Sequence, residues 1–146
     1  MNDKYIPDAW RKLVADRAYH LCEYCLIHEE DTILTCPIDH IVSLKHGGLH
    51  HPDNLAYSCV FCNRNKGADV GTFLSTNRIV RFFNPRLEKW QSHFRLDEAL
   101  ILPKTDIGEA TVKILGFNEV DRIIERMELI AEGRYPHANA LRFIHS

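Results

Sequence analysis

The chain has 146 residues, of which 45% are hydrophobic and 26% are charged, and its formal net charge is -2. This size and composition suit one compact domain, or a small core with an extension. No apolar run approaches the roughly 20 residues that cross a bilayer, and residues 1–10 are too polar for a signal peptide. We therefore expect a cytoplasmic protein with no membrane contact.

The net charge argues against a broadly basic nucleic-acid-binding protein, but the charges are distributed unevenly along the chain. Residues 1–59 contain 5 basic and 9 acidic side chains, residues 60–95 contain 7 and 2, and residues 96–132 contain 4 and 9. The middle segment is therefore the candidate for contact with a phosphate backbone. Its basic residues are Arg64, Lys66, Arg78, Arg81, Arg86, Lys89 and Arg95. A solvated charged face is the alternative interpretation.

The first half of the chain predicts a helix followed by two short strands and a second helix. Pro7 starts the first helix, because apolar residues recur at helical spacing as far as Leu21. Residues 32–42 are rich in Thr, Ile, Leu and Val and favour a strand or a hairpin. After a break at residues 45–48, residues 55–57 form a second strand and residues 59–66 turn into a helix.

The second half of the chain predicts a mixture of strands and helices. Residues 79–83 are expected to be extended, and a small hairpin is expected across residues 97–98. A short helix ends at Gly116, and a longer helix is capped by Asn118 and stops near Gly133.

These elements predict two segments that pack as a single compact unit. Residues 1–75 form the core with the N-terminal helix, and residues 76–146 form a mixed, mainly helical extension. The fold class is α+β.

Four of the five cysteines form two C-x-x-C pairs, Cys22 with Cys25 and Cys59 with Cys62. In a reducing compartment such pairs indicate zinc ligands rather than disulfides. Thiolates bind Zn²⁺ tetrahedrally, and a two-residue gap lets both sulfurs of a pair reach one ion. Because four cysteines leave no open coordination position, the predicted Zn²⁺ is structural. Four thiols that bind no metal are the alternative, and Cys36 is predicted to be a buried apolar residue.

Between and beside the cysteines lie residues suited to phosphodiester hydrolysis, which needs an activated water and a cation that neutralises developing charge. Asp39 is a hard oxygen donor suited to Mg²⁺ or Mn²⁺, and Asn63 offers an amide oxygen. His40 titrates near neutral pH and can accept a proton from water. Asn54 can fix the loop or orient that imidazole. Successive side chains of a strand point to opposite faces, so Asp39 and His40 face one way only if the strand end is irregular.

Read together, five short motifs resemble an HNH endonuclease over about residues 17–67. The motifs are Cys22-x-x-Cys25, Asp39-His40-Ile41, Gly47-Gly48, Asp53-Asn54-Leu55 and Cys59-x-x-Cys62-Asn63-x-x-Lys66-Gly67. The resemblance implies a ββα-metal finger stapled by a four-cysteine zinc site. It also implies one catalytic cation held by Asp39 and Asn63, His40 as general base, and Asn54 as the loop-orienting asparagine. Residues 82–94 and 108–111 resemble the tail of free-standing bacterial HNH proteins.

Two positions depart from the family pattern. Asn63 stands where many members have histidine, and Ser43 stands where a proline is common. A neutral amide holds a hard cation more weakly than a carboxylate. We therefore expect activity to depend on added metal, and the catalytic cation to be lost in purification while zinc stays.

The sequence thus predicts a metal-dependent endonuclease that hydrolyses DNA phosphodiester bonds. Lys45, Arg64 and Lys66 are candidate phosphate contacts. No recognition helix or ribbon is identifiable, so low sequence specificity is expected. RNA presents similar phosphates and stays open as a substrate.

Two other functions remain as alternatives. One is an inactive, zinc-stabilised nucleic-acid-binding module, and the other is a purely structural zinc protein that acts through its acidic C-terminal helix. The apolar stripe of that helix either packs on the domain or forms a homodimer face.

Two further groups of residues are predicted to be ordinary structural residues. His46, His50 and His51 precede Asn54 in the loop and are expected to be solvated rather than catalytic. Four aromatic residues between residues 82 and 94 are expected to lie in the core rather than to stack on bases; they are Phe82, Phe83, Trp90 and Phe94.

Overall fold

The computed structural model describes residues 5–145. Within these residues the chain folds into three two-stranded antiparallel sheets and six α-helices, which confirms the α+β class. The helices are α1 (Asp8–Arg17), α2 (Val60–Lys66), α3 (Trp90–His93), α4 (Asp106–Leu115), α5 (Val120–Ala131) and α6 (Leu141–Ile144). The strands are β1 (Ile38–His40), β2 (Leu55–Tyr57), β3 (Gly71–Ser75), β4 (Arg78–Arg81), β5 (Phe94–Asp97) and β6 (Leu100–Pro103). None of the helices in residues 5–145 combines the length and apolar content that crossing a membrane requires.

Helix α1 begins directly after Pro7, as predicted, but it ends four residues before Leu21. The chain leaves the helix through Tyr19 and His20, whose φ angles are 54° and 62°. Left-handed backbone of this kind is uncommon outside glycine and ends a helix. The reversal brings Leu21 into the core just before the first cysteine pair.

The predicted order of strand, loop, strand and helix is confirmed. Strand β1 pairs with β2, with Asp39 opposite Ala56, and α2 follows directly. Strand β1 is much shorter than the predicted segment 32–42. Pro37 lacks an N–H to donate to a partner strand, and Ile33 lies fully in solvent before it.

A β-hairpin connects the two predicted segments. Strand β3 ends at the predicted boundary, residue 75, and pairs with β4, which follows it. Helix α4 packs on this hairpin, on β6 and on α2. The helix ends at Gly116 as predicted, with a left-handed φ of 65°. The cap of α5 is Glu119 rather than Asn118. The Asn118 side chain bonds instead to the backbone of Ile101.

The hydrophobic core is continuous from α1 through the cysteines into the C-terminal helices. Cys36 is buried, as predicted, and so are the four aromatic residues between residues 82 and 94.

Helix α5 turns two arginines inward and part of its apolar stripe outward. Arg122 and Arg126 are buried, whereas Val120, Ile124 and Met127 are exposed. The two arginines turn inward because backbone carbonyls accept their hydrogen bonds. In the single chain these three apolar side chains therefore face solvent, and a homodimer stays a prediction.

Candidate active site

The four cysteines of the two C-x-x-C pairs converge as predicted. Their sulfurs all lie within 4.8 Å of one another in a buried cluster, and Cys25 Sγ lies 3.7 Å from Cys59 Sγ. Tetrahedral zinc with Zn–S bonds of about 2.3 Å would place its sulfurs about 3.8 Å apart. The cluster therefore fits one zinc ion.

Two different local structures present these sulfurs. In the first, Cys22 and Cys25 lie in a tight turn in which Leu26 takes a φ of 67°. In the second, Cys59 caps α2, and its sulfur accepts a hydrogen bond from the backbone N–H of Cys62. Burial raises the pKa of the Cys22 and Cys62 thiols, whereas hydrogen bonds from the neighbouring thiols lower the pKa of Cys25. Four thiolates therefore need a bound cation to coexist here.

An arginine from the C-terminal segment completes the surroundings of the cysteines. Arg122 of α5 donates from Nη2 to Cys62 Sγ at 3.0 Å, and Cys59 Sγ lies 3.8 Å away. Its Nη1 donates to Leu115 O at 2.6 Å. Although burial alone would lower it, the negative sulfurs raise the pKa of Arg122. The guanidinium thus supplies positive charge to the cluster, a contact that cysteine spacing does not reveal.

The Asp39 carboxylate is buried and already has two partners. Tyr24 Oη donates to Oδ2 at 2.6 Å, while Lys66 Nζ lies 3.2 Å from Oδ1 and 3.1 Å from Oδ2. Burial raises the pKa of Asp39, and the Lys66 ammonium group opposes this effect.

Lys66 was expected to contact a phosphate, but its side chain is buried. Its side chain is only 1% exposed, and Nζ also donates to the backbone oxygen of His40 at 3.0 Å. The ammonium group lies inside because it pairs with Asp39, which would otherwise be an uncompensated buried charge. The burial of Lys66 could have been predicted from the sequence. Lys66 follows Cys62 by four residues, and residues at this spacing share one helix face.

His40 also has a partner that the sequence did not suggest. Its Nε2 lies 3.0 Å from Nδ1 of His50, with the ring centroids 5.3 Å apart. Burial, followed by His50 and Lys66, lowers the pKa of His40. His50 was expected to be solvated, and the structure corrects that expectation, because the loop folds it back over β1.

Asn54 holds the loop that joins the two strands. Its Oδ1 accepts from Val42 N at 3.0 Å, and its Nδ2 donates to Val42 O and Leu49 O, each at 2.8 Å. At Gly48 a Cβ atom would overlap the Val42 carbonyl, so glycine is required there. Arg17 of α1 donates to the backbone beyond the loop at Leu55 O, at 2.6 Å.

The remaining site residues lie around this centre. Asn63 is partly exposed on α2, one turn before Lys66. Arg64 is exposed, with its guanidinium 5.2 Å from the centroid of the Phe61 ring. Lys45 is exposed in a short turn after β1.

The basic middle segment is less positive than its sequence suggests. Lys66 pairs with Asp39 inside the protein. Three arginines also form ion pairs with carboxylates: Arg78 with Asp106, Arg81 with Glu88, and Arg86 with Glu23. The surface available to a phosphate backbone is therefore smaller than the charge count predicts.

A β-hairpin, an asparagine-anchored loop, a helix and a four-cysteine cluster define a ββα domain with a candidate zinc site. Residues 22–69, about a third of the chain, match the family model described as HNH endonuclease. This segment is an HNH domain, which confirms the resemblance found in the sequence. No curated protein and no solved structure matches the chain.

Proposed function

We propose that this protein is a metal-dependent HNH endonuclease that hydrolyses DNA phosphodiester bonds. One observation supports the proposal above all. Within the segment that matches the HNH family, the ββα unit packs the Asp39-His40 pair of β1 against α2. Asn54 fixes the intervening loop beside this pair.

We propose two metal centres of different kinds. The four cysteines hold a structural Zn²⁺. Asp39 and Asn63 hold Mg²⁺ or Mn²⁺, because a carboxylate and an amide oxygen suit a hard cation. A carboxylate offers about four acceptor positions, and the contacts from Tyr24 and Lys66 leave Oδ1 of Asp39 with capacity for a further partner. When bound, such a cation would neutralise charge on the phosphate and on the departing 3′ oxygen.

The chain's own residues supply the proton transfer and the positioning. His40 accepts a proton from the attacking water, and its lowered pKa keeps the imidazole neutral near pH 7. Asn54 keeps the loop in place around it. Lys45 and Arg64, both exposed, contact phosphates of the nucleic-acid backbone.

The inactive nucleic-acid-binding module remains the second candidate because of one contact. The Lys66 ammonium group lies within hydrogen-bonding distance of both oxygens of Asp39. A protein in which lysine permanently replaces the catalytic cation would keep the fold and bind nucleic acid without cutting it.

Cleavage of supercoiled plasmid separates these functions. Zinc-loaded protein with Mg²⁺ or Mn²⁺ should nick or linearise the plasmid, and His40→Ala should slow cleavage by about 100-fold or more. His46→Ala, in the loop that follows β1, is the matched control and should cleave normally. Plasmid binding without cleavage by the wild type would support the inactive module, and neither activity would support the purely structural protein. The same assay on RNA defines the substrate.

A further inference from the structure

We propose that His50 positions His40, by fixing which ring nitrogen of His40 accepts the proton. This inference rests on the proposed function, because it concerns the same general base. It adds His50, which lies between the motifs of the family and was predicted from the sequence to be solvated.

The first step concerns the tautomer of His50. Its Nε2 lies 2.8 Å from the backbone oxygen of Tyr5. A carbonyl oxygen only accepts hydrogen bonds, so Nε2 of His50 must carry the hydrogen. In the neutral ring, Nδ1 of His50 is then an acceptor.

The second step transfers that constraint to His40. Nε2 of His40 lies 3.0 Å from Nδ1 of His50. Because His50 accepts at Nδ1, His40 must donate from Nε2. The nitrogen of His40 that carries the lone pair is therefore Nδ1, and the hydrogen bonds that link His40 through His50 to the backbone oxygen of Tyr5 favour this arrangement.

The third step concerns what holds His50 in place. The Trp10 ring of α1 packs against it, with the centroids 5.2 Å apart. On the other side, Asn54 bonds to the backbone of Leu49, the residue before His50. Tyr5 and Trp10 both precede the matched segment 22–69. The N-terminal segment thus helps to hold His50, and through it the candidate base His40, in place.

The experiment compares two substitutions of His50 with a matched control. In His50→Asn the amide oxygen can still accept from His40, whereas His50→Leu removes the acceptor. His46→Leu makes the same change at an exposed position of the same loop. Each protein is loaded with zinc and checked for fold by circular dichroism.

The first readout is the His40 tautomer, measured by nitrogen-15 NMR without Mg²⁺ and assigned with His40→Gln. We expect the Nε2–H form in the wild type and in His50→Asn, and a smaller share of that form in His50→Leu. A wild-type His40 in the Nδ1–H form would overturn the inference, even if His50→Leu failed to fold.

The second readout is plasmid cleavage. His50→Leu should lower kcat about tenfold or more with an unchanged KM, His50→Asn should retain most of the activity, and His46→Leu should match the wild type. Equal losses in both His50 variants with an unchanged tautomer would show a merely structural role and overturn the inference. A wild type that shows the expected tautomers but cuts nothing would instead contradict the proposed function alone.

Discussion

The four-cysteine cluster and the Asp39-His40 pair lie within one ββα unit, but they are organised differently. In the cluster, all four sulfurs come from the two motifs and converge on a single point. In the Asp39-His40 pair, each side chain is held by a residue outside its own motif: Lys66 and Tyr24 for Asp39, and His50 for His40.

This difference explains what each centre requires. The cluster is a complete ligand set whose buried thiols lack a sufficient counter-charge, so it should depend on a metal for its stability. The Asp39 carboxylate already has an ammonium partner, so its surroundings should persist without the catalytic cation. Loss of zinc should therefore disrupt the fold, whereas loss of the second metal should disrupt only activity.

Removal of zinc should have the largest effect. Binding of structural zinc to small domains contributes about 10–16 kcal/mol, so chelation or Cys62→Ser should abolish the near-UV circular dichroism signal. Elemental analysis of the wild type should find about one zinc per chain. Cys36→Ser is the control, because this buried cysteine lies outside the cluster, and it should keep the zinc. A folded wild type without zinc would refute the assignment.

Substitution of Lys66 should have the next largest effect, on stability. Lys66→Met leaves the buried Asp39 carboxylate without its cation, which costs about 3–5 kcal/mol in comparable pairs. Urea unfolding of the zinc-loaded protein measures the loss. Adding Asp39→Asn should recover part of it, and Lys89→Met, at an exposed lysine, should change little. A Lys66→Met protein as stable as the wild type would mean that the ion pair contributes no net stability.

Substitution of Arg122 tests the link between the extension and the cluster. Arg122→Met removes the positive charge beside Cys62, so zinc should bind about tenfold more weakly. Competition with a chromophoric chelator measures the affinity. Arg126→Met is the matched control, because Arg126 is buried on the same helix and bonds to Ala99 and Phe117. Equal zinc affinities in the two variants would remove Arg122 from this role.

The smallest effect should come from a histidine outside both centres. Burial, followed by the stacked His137 ring at 4.1 Å, lowers the pKa of His28 below its usual range. The unfolded chain therefore binds more protons than the folded one while the pH falls through the ordinary histidine pKa of about 6.5 towards the lower pKa of the folded state. Stability should therefore fall as the pH falls from 7.5 to 5.5. Urea unfolding should show a shallower pH dependence for His28→Phe, and an identical dependence would contradict this.

The sequence predicted those features that depend on local spacing. Two C-x-x-C pairs indicated the cluster. Gly116 marked the end of α4, because glycine readily adopts the left-handed conformation that commonly ends a helix. The order of β1, β2 and α2 followed from the residue types alone.

The remaining features depend on contacts between distant parts of the chain. His50 contacts both His40 and the backbone of Tyr5 in the N-terminal segment, and Arg122 reaches the cysteines because α5 turns its arginines inward. Lys66 was misjudged because a lysine is usually exposed, although its spacing from Cys62 placed it on the buried face.

The most direct test of the two-centre account is a titration of zinc-loaded protein with Mn²⁺, followed by electron paramagnetic resonance. The wild type should bind one Mn²⁺ weakly and reversibly while its zinc content stays constant. Asp39→Asn and Asn63→Ala should each weaken Mn²⁺ binding, whereas Asn65→Ala, on the same helix, should not. Absence of Mn²⁺ binding, or binding that neither substitution weakens, would contradict the account.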